Sequence, residues 1–151
     1  MEVRFTVPGT PVAQPRQRHS VAMIRGRAVA QNYTPSKHPV QSFKAAVQLA
    51  ASMAHDGAPI MGPISMAVTF VFPRPKGMVF RKKPMPRTAK TSKPDVDNLM
   101  KSVCDALNGL LWLDDAQVFD ARIIKLVASG DEQPRTEVVV WQKEWSDTWT
   151  A

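Results

Sequence analysis

Six aspartates, at positions 95, 97, 105, 114, 115 and 120, stand in 26 residues that hold one cation, Lys101. Clustered carboxylates repel one another unless protons or cations neutralise them. A positive partner is therefore expected, either the chain's own Arg and Lys residues or a divalent metal. Positions 97, 101 and 105 are four apart, which puts Asp97, Lys101 and Asp105 in a row on one face of a helix with Asp95 at its edge. Asp114 and Asp115 follow a tight connection, Leu110 to Leu113, and return over the N-terminal part of that helix if the next strand runs beside it. Magnesium takes carboxylate oxygens and keeps several waters. At a phosphodiester it activates water and neutralises the leaving oxygen, and a lysine nearby contacts the phosphate or orients the water. The same residues also have a plain structural reading: Asp95 as a helix cap, Asp97 and Lys101 as a surface ion pair contributing about 0.2–0.5 kcal/mol, and Asp114-Asp115 as a turn. Spacing alone divides the two readings evenly.

The elements that must carry these residues are legible from periodicity. Asp95 to about Leu110 reads as an amphipathic helix, with Val96, Leu99, Met100, Val103, Leu107 and Leu110 as its apolar stripe. A first strand covers Glu2 to Val7, with Val3, Phe5 and Val7 on one face and Pro8 and Gly9 ending it. Residues 12 to 35, with Arg16, Arg18, Arg25 and Arg27 around Gly26, suggest a basic loop or exposed hairpin. A helix follows from Pro39 to Ala54, with Val40, Phe43, Val47, Ala50 and Ala54 facing the core. Ile64, Met66, Val68, Phe70 and Phe72 alternate as the clearest strand. Gln117 to Val127 and Thr136 to Gln142 are β-rich, and the Ser129-Gly130-Asp131-Glu132 turn predicts a hairpin between them. The expected fold is α+β, a small mixed β-sheet packed against two main helices in a single domain, residues 1 to 151. Its strand order is open.

Charge is distributed unevenly. Residues 1 to 94 hold 15 Lys or Arg and two acids, Glu2 and Asp56, a net of +13, before the sign reverses to −5 over residues 95 to 120. The whole chain is +7, which suits a nucleic-acid partner. Residues 73 to 94 carry eight cations, five prolines and no acid, a composition expected to form a flexible basic loop. One cysteine, Cys104, excludes an internal disulfide and a Cys-rich zinc site and suits a reducing cytoplasm; it reads as a small buried hydrophobe. No apolar run reaches the length of a membrane span, and the N-terminus alternates like a strand, so a soluble, unprocessed protein is expected. His19, His38 and His55 have no ligand spacing. Trp141, Trp145 and Trp149, four apart, would line one face of a helix and pack on the domain or a partner.

The literal wording of residues 93 to 118, KPDVDNLMKSVCDALNGLLWLDDAQV, resembles the core signature of the RusA family of Holliday junction resolvases. That signature is an Asp-x-Asp-Asn, a lysine, an Asp-Ala-Leu and a Trp-x-Asp-Asp-Ala-Gln run. The early strand, the Pro15-Arg16-Gln17-Arg18 segment and Tyr33 before the first helix are also similar to the family. The resemblance implies Asp95, Asp97 and Asp115 as magnesium ligands, with manganese able to substitute, and Lys101 as the essential basic residue. It implies Asp114 as an auxiliary ligand or a neighbour of the ligands, while Asp105 has an equally good structural role. It further implies a cytoplasmic homodimer, bacterial or phage-encoded, that cuts four-way DNA junctions symmetrically. Two departures from the family form stand out. The connection between Asp105 and Trp112 is one residue shorter, which shifts the reach of Asp114 and Asp115, and the basic segment 73 to 94 is longer, which bears on how DNA is gripped.

Arg74, Lys76, Arg81, Lys82, Lys83, Arg87, Lys90 and Lys93 lead into the acidic site and are expected to contact the DNA backbone, with Arg16 and Arg18 as a second patch or merely solubilising cations. Phe80 reads either as a wedge against bases or as a loosely packed loop aromatic. Two other functions compete: a DNA-binding module without catalysis, and a magnesium-dependent phosphoryl-transfer enzyme acting on a small substrate.

Overall fold

The computed structural model describes residues 1–16 and 18–144, with Arg18 and Asn32 described by their backbone alone. Nine elements follow in order: β1 (Glu2–Pro8), β2 (Arg18–Ile24), β3 (Arg27–Tyr33), α1 (Pro39–Ala54), β4 (Ile64–Phe72), β5 (Thr88–Ala89), α2 (Val96–Leu107), β6 (Val118–Val127) and β7 (Arg135–Gln142). The five-stranded sheet runs β1-β7-β4-β6-β5, and β2-β3 form a separate two-stranded hairpin. β4 and β6 are parallel, and the other pairs are antiparallel. The expected α+β architecture, a mixed sheet with two helices in one domain, is therefore present.

Alternation fixes the faces. In β1 only Val3, Phe5 and Val7 are buried, and in β4 Ile64, Met66, Val68 and Phe70 are at most 1% exposed. β4 is the most apolar strand and takes the centre. α1 begins where His38 accepts the Val40 N–H through Nδ1 at 3.1 Å, a capping role for a histidine that sequence left without one. Its buried stripe is Val40, Phe43, Val47 and Ala51, so Ala51 replaces the expected Ala50 and Ala54. α2 buries Leu99, Ser102, Val103, Ala106 and Leu107. Fully burying an aliphatic side chain of this size contributes about 1.5–3 kcal/mol. Val96, assigned to the stripe from periodicity, is exposed instead, because the helix starts there and its first turn projects beyond the core.

Three differences from the sequence reading have physical causes. α2 stops at Leu107 instead of near Leu110, because Gly109 adopts a φ of +75°, which reverses the chain and buries Leu111 and Trp112 in the core. The expected β6–β7 hairpin does not form. Both strands border β4, which satisfies its two hydrogen-bonding edges and leaves only Ala67 and Thr69 of this strand half-buried. Trp141 lies in β7, so a helical tryptophan face does not include it; Trp145 and Trp149 lie outside the described residues.

The turn around Gly26 is as expected: Arg25 (φ +50°) and Gly26 (φ +75°) join β2 to β3. Residues 73 to 94 are mostly irregular, with a 3-10 turn at Lys76–Met78 and the short β5 on the edge of β6.

Candidate active site

β4 crosses over through β5 and α2 to the parallel β6, and this unit sets the positions of the acids. Asp95 is the N-cap residue of α2, yet its carboxylate makes no capping bond. Asp97 lies in the first turn, and both side chains are exposed. Among the described residues neither has a hydrogen-bond or ion-pair partner, so the capping and Asp97–Lys101 pairing readings find no support. Lys101 pairs with Asp105 at 3.1 Å, and Lys44 of α1 reaches the same carboxylate at 3.4 Å. Asp105 thus ties the two helices together, which favours its structural role.

After Trp112 the chain turns through Asp115–Gln117. Asp114 caps this turn by accepting the Ala116 N–H at 2.8 Å. Gln117 holds it from beneath: its Oε1 accepts from the Leu113 and Asp114 N–H groups, and its Nε2 donates to the Ile60 and Gly62 carbonyls. Trp112, fully buried, donates its indole N–H to Asp115 Oδ1 at 2.8 Å. Asp115 therefore stands in a fixed orientation with one oxygen uncommitted. The Cys104 thiol of α2 is pushed up to about 12 by burial first and then by the charges of Asp115 and Asp105.

Do these residues fit a magnesium ion? The donors are of the right kind, the exposed carboxylates of Asp95 and Asp97 two residues apart at the start of α2. Among the described residues no three His, Cys, Asp or Glu side chains are gathered closely enough to hold a metal between them. Magnesium does not require such a cage, since one or two carboxylates with water and substrate phosphate commonly suffice.

An open groove of about 530 Å³ joins Gln14, Pro15, Arg16, Lys93, Pro94, Asp95 and Asn98. The Gln14 N–H donates to the Asn98 carbonyl at 2.9 Å, which draws the N-terminal loop onto α2 and sets Arg16 and Lys93 beside Asp95. The remaining cations fall into two groups. Arg74 donates to the Met78, Pro86 and Ala128 carbonyls, Arg87 pairs with Glu132, and Lys90 bonds Ser92 and lies over Phe72. Lys83 lies 5.6 Å from the Phe80 ring. Lys76, Arg81, Lys82 and Lys93 have no side-chain partner among the described residues. Sequence reasoning missed Trp112 and Gln117 as supports of Asp115, and Lys44 as a partner of Asp105; the only signal was their place in the motif or on a helix face. Lys125 was also missed, although a lone lysine in the apolar run 123 to 128 was visible.

Fold and site define a single-domain α+β protein that presents free carboxylates at a helix start beside a groove lined with cations. The sequence profile of the endodeoxyribonuclease RusA family matches residues 8–141. The protein YqaN of Bacillus subtilis (strain 168) is 40% identical over 143 residues, covering 91% of this chain and 94% of its own. The chain belongs to the RusA endodeoxyribonuclease family. Among the described residues no helix is long and apolar enough to cross a membrane.

Proposed function

We propose that this protein is a magnesium-dependent, structure-specific endonuclease that resolves four-way DNA junctions by symmetric phosphodiester cleavage, working in the cytoplasm as a homodimer. The observation that carries the reading is the pair of exposed, unpartnered carboxylates of Asp95 and Asp97, in a family of endodeoxyribonucleases and beside Arg16 and Lys93. Asp95, Asp97 and Asp115 would hold the ion, with Asp114 beside them. When bound, it supplies activation of water and neutralisation of the leaving oxygen.

The chain's own groups do the rest. Trp112 holds Asp115 in one orientation. Lys101, next along the face from Asp97 and exposed, offers a cation to the scissile phosphate. Arg16, Arg18 and Lys93, with Lys76, Arg81 and Lys82, hold the flanking sugar-phosphate strand. Arg74, Arg87, Lys83 and Lys90 act mainly by shaping the segment that carries those cations. Two copies supply two sites, as symmetric incision of two strands requires.

The test is cleavage of a synthetic four-way junction and of a linear duplex, in magnesium and in chelator, by the wild type and Asp97→Asn. Asp97 is exposed and unpartnered, so the variant should keep its stability to within about 0.5 kcal/mol. Junction cleavage should fall about 100-fold or more. Tight junction binding without nicks in any metal would instead favour a binding module, and equal cutting of duplex and junction would remove the structural specificity.

A further inference from the structure

The run from Ile123 to Ala128 is apolar but for Lys125. Lys125 stands opposite Phe70 in the β4–β6 register, on the face the helices cover. A charged group there is costly unless it is hydrogen-bonded. The Lys125 ammonium donates to the Pro94 carbonyl at 2.6 Å and to the Ser92 carbonyl at 2.8 Å. Its own carbonyl accepts the Lys90 N–H at 3.0 Å. Three bonds from one residue therefore secure residues 90 to 94. The Pro94 carbonyl belongs to the peptide unit that leads into Asp95, and Asp97 follows in the first turn of α2. Bonds from a charged donor are about twice as strong as neutral ones. Among the described residues Lys125 has no carboxylate partner, so these two carbonyls are what its ammonium serves.

We propose that Lys125 is a positioning residue for the Asp95–Asp97 pair. It ties the approach to α2 onto β6, the strand that also follows directly from Asp114 and Asp115, so one strand sets both groups of carboxylates relative to each other. The proposal deepens the endonuclease reading and rests on it for its consequence in catalysis. The clamp itself can be measured without catalysis.

Lys125→Met keeps an unbranched apolar stem and removes the ammonium; Lys125→Arg restores charge and donors. Amide hydrogen exchange of the full chain, junction binding in calcium, and junction cleavage across a magnesium titration are compared. In Lys125→Met, exchange at Lys90, whose N–H bonds the Lys125 carbonyl, and at Leu99, whose N–H bonds the Asp95 carbonyl, should accelerate while β4 and β7 keep their protection. Junction binding should be unchanged, cleavage should fall about tenfold or more, and the magnesium midpoint should rise. Lys125→Arg should recover part of each loss. Unchanged local exchange in Lys125→Met overturns the proposal, and so does cleavage at the wild-type rate and magnesium midpoint. Uniform acceleration across β4 and β7 with loss of junction binding also overturns it, because that marks a general structural role. A wild-type chain that cuts no DNA would end the endonuclease reading, while the exchange comparison would still decide the clamp.

Discussion

Glu132 shows how one carboxylate can anchor a basic segment. It accepts from Arg87, from the Ser129 N–H and from Arg135. These partners, Arg87 foremost, hold its pKa down at about 2 from an ordinary 4.5. A depressed folded-state pKa means that the contribution to stability is complete above about 4.5 and is lost as pH falls towards 2. Glu132→Gln should therefore melt below the wild type at neutral pH, and the gap in Tm should close across that acid range. A gap that stays constant down to pH 2 would show that the carboxylate is not the group responsible. Cys104 behaves in the opposite sense. Its half-buried thiol, raised to about 12, stays protonated at neutral pH and acts as a small apolar filler packed against the core.

At the scale of elements, the segment from 73 to 94 combines irregular backbone with firm points of attachment. Arg74 bonds three carbonyls, Arg87 bonds Glu132, and β5 lies along β6. A guanidinium spent on carbonyls has little left for phosphate, so cations of the same charge divide into structural and binding roles. Arg74→Ala should lower stability by about 1.5–3 kcal/mol in urea denaturation, the usual cost of a lost bond to a charged group, and leave the salt dependence of DNA binding nearly intact. Lys82→Ala should do the reverse, with stability unchanged and the slope of log affinity against log salt reduced by about 0.9. Equal slopes in Lys82→Ala and wild type would take Lys82 out of the interface.

For the whole molecule, the sheet has one face under α1 and α2, while the β2–β3 hairpin stands apart from it with Val21 71% and Met23 70% exposed. Two-stranded ribbons are marginal alone in water. With symmetric cutting in view, sedimentation of the free protein should give about twice the 16.7 kDa of one chain; a monomer at every concentration that binds DNA would remove the homodimer. The sequence by itself determined each element with a strong local period, β1, α1 with its limits, β4 and α2, and left the segment around Gly26 open between a loop and a hairpin. It also showed the reversal of charge that marks the site, because alternation, 3.6-residue spacing and like-charge clustering are local properties of the chain. Tertiary structure alone decided that β6 and β7 flank β4 instead of pairing, since strand order depends on which edge is free after the α2 crossover. It decided that α2 ends at Leu107 and that Leu111 and Trp112 turn into the core, because a single left-handed glycine after α2 redirects the chain. It also decided which cations are spent on carbonyls, among them Lys125 beneath the approach to Asp95, since a hydrogen bond across 31 residues leaves no mark on local spacing.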